Sequence, residues 1–212
     1  MCRLVVFFIA GTFLIIALRV AADNAHDWPA CNLALDSEAI AACSNLISSG
    51  ITGSILATVY NHRGLARERS GDFDGAIADY TEAIRLNPNY ATTYFTRGSA
   101  RERRGDFDGA IADYSETIRL NPHYKVFYSR AIAYREKGDY DHAMNDFAES
   151  IRLNPNYVPA YTARGGLWEA KGDINRARAD YDAALTRVST DDPDGLKAQQ
   201  IARDHLSVLL KK

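Results

Sequence analysis

GDFDGAIADYTEAIRLNPNY, residues 71–90, returns almost letter for letter as GDFDGAIADYSETIRLNPHY at 105–124 and more loosely as GDYDHAMNDFAESIRLNPNY at 138–157. A fourth copy, GDINRARADYDAAL, opens at Gly172, so the starting glycines stand 34, 33 and 34 residues apart. Periods of this length belong to stacked supersecondary units that draw their stability from their neighbours and present one long shared surface. The repeat therefore governs the fold, and it turns the search for function toward binding surfaces.

Apolar residues on both sides of each glycine keep a 3.6-residue period, which predicts two helices per unit joined at Gly-Asp. In the first unit, helix A is expected at about Thr58 to Arg69 and helix B at about Asp74 to Leu86. Gly71, Gly105, Gly138 and Gly172 sit where a left-handed C-terminal cap favours a residue without a side chain. The following Asp72, Asp106, Asp139 and Asp173 place a carboxylate at the next helix N-terminus, where free amides and the dipole welcome it. Pro88, Pro122 and Pro155 stop helix B from running on.

These residues resemble the tetratricopeptide repeat, a helix-turn-helix unit of 34 residues. Its large first slot is filled by Tyr60, Tyr94, Phe127 and Tyr161, and its small slot by Gly64, Gly98, Ala131 and Gly165. In helix B, Ala76, Ala110, Ala143 and Ala177 are each followed four residues on by Tyr80, Tyr114, Phe147 and Tyr181. The resemblance implies an all-α fold, a right-handed α-solenoid of about four units with an N-terminal half repeat and a C-terminal capping helix. The expected division is 1–22 leader, 23–56 N-terminal segment and half repeat, 57–90, 91–123, 124–157 and 158–190 the four repeats, and 191–212 the closing helix. Leu196 to Leu210, with Ala198, Ile201, Ala202, His205, Leu206 and Leu209 on one face, reads as that cap.

Arg3 followed by the uncharged run Leu4 to Leu18 and the small residues Val20, Ala21 and Ala22 has the layout of a secretory signal peptide cleaved after Ala22. The alternative is an uncleaved anchor, although a spanning helix needs about 20 apolar residues and Arg19 ends this run early. A periplasmic or secreted destination suits the two remaining cysteines, Cys31 and Cys43, which are expected to pair as a disulfide tying the N-terminal tail to the first helix. Without Arg3 and Arg19 the chain has 23 basic and 27 acidic residues, a formal charge of −4, and so no basic excess to grip nucleic acid or anionic lipid. The cluster of Arg67, Arg69, Arg101, Arg103 and Arg104 reads as solvated helix ends.

Arg63, Arg97, Arg130 and Arg164 stand where the family pattern has leucine, and every unit carries a helix B aspartate, Asp79, Asp113, Asp146 or Asp180. Antiparallel helices bring the two to similar heights, which predicts a recurring ion pair of architectural purpose. No constellation of catalytic or metal-ligating spacing appears. The string DFDGAI fails the register of a calcium loop, the five histidines are scattered, and no Walker, GxGxxG or GxSxG motif sits between a strand and a helix. No enzyme activity, cofactor or metal is expected.

The resemblance implies that helix A residues on the concave side bind an extended peptide or helix of a partner protein. Projected onto this sequence, the candidates are Asn61, Leu65 and Glu68, then Phe95, Ser99 and Glu102, then Tyr128, Ile132 and Arg135, and last Thr162, Gly166 and Glu169. Their apolar and aromatic character argues against a clamp for a chain-terminal carboxylate and favours an apolar or mixed peptide. The expected function is a non-catalytic interaction scaffold; the alternative is an adaptor of an envelope complex held at the membrane by its N-terminal segment. The sequence names neither the partner nor the oligomeric state.

Overall fold

The computed structural model describes residues 27–32, 36–187 and 193–209, and the leader expected at 1–22 lies outside them. Among the described residues every regular element is a helix. After a helical stretch at residues 27–32 (α1) come α2 (Asp36–Ser48), α3 (Gly53–Arg69), α4 (Phe73–Leu86), α5 (Ala91–Arg103) and α6 (Phe107–Leu120). They continue with α7 (Tyr124–Glu136), α8 (Tyr140–Leu153), α9 (Val158–Ala170), α10 (Ile174–Thr186) and α11 (Pro193–Leu209). The helix pairs α3–α4, α5–α6, α7–α8 and α9–α10 make four helix-turn-helix units, the first of which opens at Gly53, ahead of the Thr58 expected from the sequence. The chain divides into two compact units, one ending at Pro88 and the other beginning at Asn89.

The turn inside each pair works as its residues require. Gly71, Gly105, Gly138 and Gly172 all have positive φ, between 79° and 84°. At the first, the Asp72 amide closes back onto the Arg67 carbonyl at 2.9 Å. The carboxylates of Asp72, Asp106, Asp139 and Asp173 then accept from the amides of Gly75, Gly109, His142 and Arg176. Each of these caps supplies one of the acceptors a helix N-terminus lacks, worth about 1 kcal/mol.

The small and aromatic slots meet inside each pair. Tyr80, Tyr114, Phe147 and Tyr181 are all fully buried. A Cβ on Gly64 would stand 2.6 Å from Cε1 of Tyr80, and one on Gly98 or Gly165 would stand 2.8 Å from the matching ring. The glycine thus lets helix A approach helix B at the ring, and this recurrent contact is why the pattern repeats.

The ion pairs form in every unit. Arg63 reaches Asp79 at 2.6 Å, Arg97 reaches Asp113 at 2.7 Å, Arg130 reaches Asp146 at 2.7 Å, and Arg164 reaches Asp180 at 2.7 Å. Each guanidinium also lies over the ring of its first-slot aromatic, Tyr60, Tyr94, Phe127 or Tyr161. Pairing with Asp146 and Asp180 pushes Arg130 and Arg164 still further up from the ordinary arginine value. The reading of Arg67 and Arg101 as solvated needs correction, because both turn inward. Their Nη1 atoms donate at 2.8 Å to the same aspartates, Asp79 and Asp113, and also meet the carbonyls of Gly75 and Gly109.

At the N-terminal end, a disulfide joins Cys31 on α1 to Cys43 on α2. Both cysteines are buried with Ala42, Leu46 and Val59, so the bridge sits inside a small core of its own. At the other end α11 lays Ala198, Ala202 and Leu209 onto Val158, Tyr161, Ala177, Tyr181 and Ala184. It thereby covers apolar surface that a last repeat would leave in water. His205 and Ile201, expected on this packed face, are exposed instead.

Candidate functional site

Within the unit that begins at Asn89, α7, α9 and α11 line a half-open cavity of about 760 Å³. Its walls include Tyr128, Arg135, Thr162 and Gly166 from the expected helix A set, with Tyr157, Leu167, Lys197, Ile201 and His205. Two helices, α7 and α9, therefore bring four of the candidate positions to one concavity, and α11 completes its wall. The volume lies within the range of ligand clefts, roughly 300–1,000 Å³.

The remaining candidates fall elsewhere. Asn61 on α3 is only 8% exposed and Leu65 half-buried, both in the other compact unit. Phe95 packs 5.7 Å from the Tyr114 ring and lines a smaller notch of about 210 Å³ with Thr92, Lys125 and Val126. Ser99 is half-buried on α5, and Ile132 packs against the core around Phe147. Tyr128 itself leans on Phe147 at 5.7 Å and stands edge-on to Tyr157 at 5.2 Å, so its ring both supports the core and forms wall. Burial pushes its phenol up, which keeps the hydroxyl protonated at neutral pH.

The helix A position held by Glu68, Glu102, Arg135 and Glu169 has an internal logic. The hydroxyls of Tyr80, Tyr114 and Tyr181 donate to Glu68, Glu102 and Glu169 at 3.0, 2.8 and 2.9 Å. In the third repeat the hydroxyl is missing, because Phe147 replaces tyrosine, and the glutamate has become Arg135. Arg135 therefore lines the cavity with its only ion pair, among the described residues, to the adjacent Glu136 at 2.7 Å. Burial holds the Glu102 carboxyl above its usual range, while the Tyr114 hydroxyl pulls it back.

The C-terminal helix contributes a wall that the repeat pattern does not foreshadow. Thr162, only 7% exposed, donates from Oγ1 to the Ala198 carbonyl at 3.1 Å. Nδ1 of His205 lies 2.8 Å from Oε2 of Glu169. These two contacts fasten α11 against α9, and Lys197 and Ile201 face the cavity. In the sequence the only signal for Lys197 is its place three and four residues before Gln200 and Ile201 on an amphipathic helix, which does not distinguish a cavity wall from solvent. No group of three or more metal-ligating side chains gathers among the described residues.

The tetratricopeptide repeat family profile matches residues 62–125 and again 124–157. No curated protein matches the chain. Among solved structures, a MamA crystal structure superposes with a TM-score of 0.63 at 20% identity, covering 82% of this chain and 91% of its own. MamA from Desulfovibrio magneticus RS-1, residue 41 to the end, gives a TM-score of 0.70 at 13% identity, over 88% of this chain and 96% of its own. The first such repeat domain of Spaghetti (RPAP3), bound to the HSP90 peptide SRMEEVD, gives 0.54 at 24% identity, over 57% and 97%. At these identities the likeness is one of fold, and the profile matches identify residues 62–157 as tetratricopeptide repeats.

Proposed function

We propose that this protein is a non-catalytic scaffold that binds a peptide or helix of a partner protein on the concave side of its helix A row. The observation that carries the reading is the cavity between α7, α9 and α11, where Tyr128, Arg135, Thr162 and Gly166 converge. Support comes also from the RPAP3 repeat domain, which holds a peptide. Binding of this kind needs no cofactor. The uncharged run from Leu4 to Leu18 and the Cys31–Cys43 bridge support export to an oxidising compartment.

Gly166 supplies a clean test. A Cβ there would meet only the Tyr181 hydroxyl, at 3.9 Å, so a large side chain enters the cavity without displacing the core. Peptides selected from a random display library against the purified protein are expected to lose binding to Gly166→Trp while its melting temperature holds. If no peptide is enriched over an unrelated helical protein, the scaffold reading fails.

A further inference from the structure

The charged groups around the cavity are unequally occupied. Glu169 is held by the Tyr181 hydroxyl and His205, and Asp194 is engaged as well. The donors are less committed. Nε and Nη2 of Arg135 both go to Oε1 of Glu136, at 3.1 and 2.7 Å, and Nη1 has no acceptor among the described residues. This pair joins neighbours on one helix whose side chains are 37% and 44% exposed. A pair so placed contributes little and exchanges readily. On the opposite wall the ammonium of Lys197 meets no carboxylate within 4.0 Å among the described residues, although it lines the same cavity.

Between these two cations the wall is apolar or aromatic, with Tyr128, Tyr157, Pro159, Leu167 and Ile201. Ile201 is 41% exposed there, an aliphatic surface held open beside Lys197. Spare cationic donors at the two walls and an apolar stretch between them complement one chemistry in an extended chain. The guanidinium fork of Arg135 suits a planar carboxylate.

We infer that this cavity selects a peptide segment that sets aspartate or glutamate side chains on either side of an apolar residue, one carboxylate going to Arg135 and another to Lys197. The inference rests on the partner-binding reading above and adds the class of peptide and the use of α11 as a specificity wall.

The test is the composition of peptides selected from a random library fused to its carrier through the peptide C-terminus, so that only side chains can supply the carboxylate. Enriched sequences are expected to carry acidic residues on either side of an apolar one. A synthetic amidated peptide of that sequence should bind at least about tenfold more weakly to Arg135→Glu and to Lys197→Glu by fluorescence anisotropy. Its affinity should also fall with added salt. Selection repeated on the Arg135→Glu, Lys197→Glu double variant should enrich lysine or arginine instead. Both positions lie on the surface, and unchanged melting curves confirm that folding is intact. Enriched peptides without acidic residues, or equal binding to the charge-reversed variants, overturn this inference while leaving the scaffold intact. Failure to enrich any peptide overturns both.

Discussion

The Tyr114 hydroxyl donates to Oε2 of Glu102 at 2.8 Å, and the third repeat lacks both partners of this bond at once, carrying Phe147 and Arg135. The two positions behave as one unit, since a tyrosine hydroxyl facing an arginine would lose its acceptor. Phe147→Tyr alone should therefore cost about 1–3 kcal/mol, because Phe147 is fully buried and the new hydroxyl would be unsatisfied. Arg135→Glu added to it should recover about 1 kcal/mol as a favourable coupling energy. Urea denaturation of the two single variants and the double variant measures this. A coupling of zero would mean that the pairing in the other repeats is incidental.

The adjacent glycines of α9 should respond oppositely to the same substitution. A Cβ on Gly165 would stand 2.8 Å from Cε1 of Tyr181, whose ring is 1% exposed and has no room to retreat. Gly165→Ala should destabilise by about 1–3 kcal/mol through overpacking. Gly166 opens onto the cavity, so Gly166→Ala should stabilise by about 0.5–1 kcal/mol through the reduced freedom of the unfolded chain. Thermal melts of the two variants should move in opposite directions; movement in the same direction would refute the placement of one of them.

These glycines also mark what the sequence could reveal. Gly71 and Asp72 announce their turn because both are needed by backbone geometry that every copy repeats, and the small-aromatic pairing of Gly64 with Tyr80 is legible for the same reason. Arg67 and Arg101 were harder to read. A charged helix end looks the same whether its guanidinium faces water or an aspartate one helix away. A finer signal existed, since Arg67 and Arg101 stand opposite Gly75 and Gly109, where Cβ atoms would come within about 3 Å of the arginine stems. In the other repeats the same two positions hold rings and cations, with Tyr134 stacked on His142 at 5.0 Å and Arg176 over Trp168 at 4.4 Å. The wall formed by α11 was not legible at all, because it occurs once and a periodic pattern says nothing about where a nonrepeating helix docks.

His62 on α3 supplies a pH dependence. Burial lowers its imidazole below the usual histidine value, and its Nδ1 is buried without a hydrogen-bond partner among the described residues. The unfolded chain accepts a proton near pH 6.5 while the folded chain still resists it, so stability is full above that value and declines as pH falls toward the folded-state pKa. The slope for one group is limited to about 1.4 kcal/mol per pH unit. Replacing His62 by leucine should flatten this part of the profile. The unfolding free energy of His62→Leu minus that of wild type should be more positive at pH 5 than at pH 7.5, and a difference independent of pH would exclude His62 as the cause.

Arg164 and Asp180 test what the repeated ion pair does. Nε and Nη2 of Arg164 reach the two carboxylate oxygens at 2.8 and 2.7 Å, and Asp180 is only 6% exposed. Arg164→Met removes the partner and leaves a buried carboxylate, which should cost about 3–5 kcal/mol at neutral pH. Arg164→Lys should recover only part of this, since an ammonium cannot match the fork. Adding Asp180→Leu to Arg164→Met removes the stranded charge and should return most of the lost stability at pH 7.5. If the double variant were instead as unstable as Arg164→Met, the pair would have to contribute through attraction well beyond the cost of desolvating it. The ladder would then be a source of stability rather than a device that fixes how helix A registers against helix B.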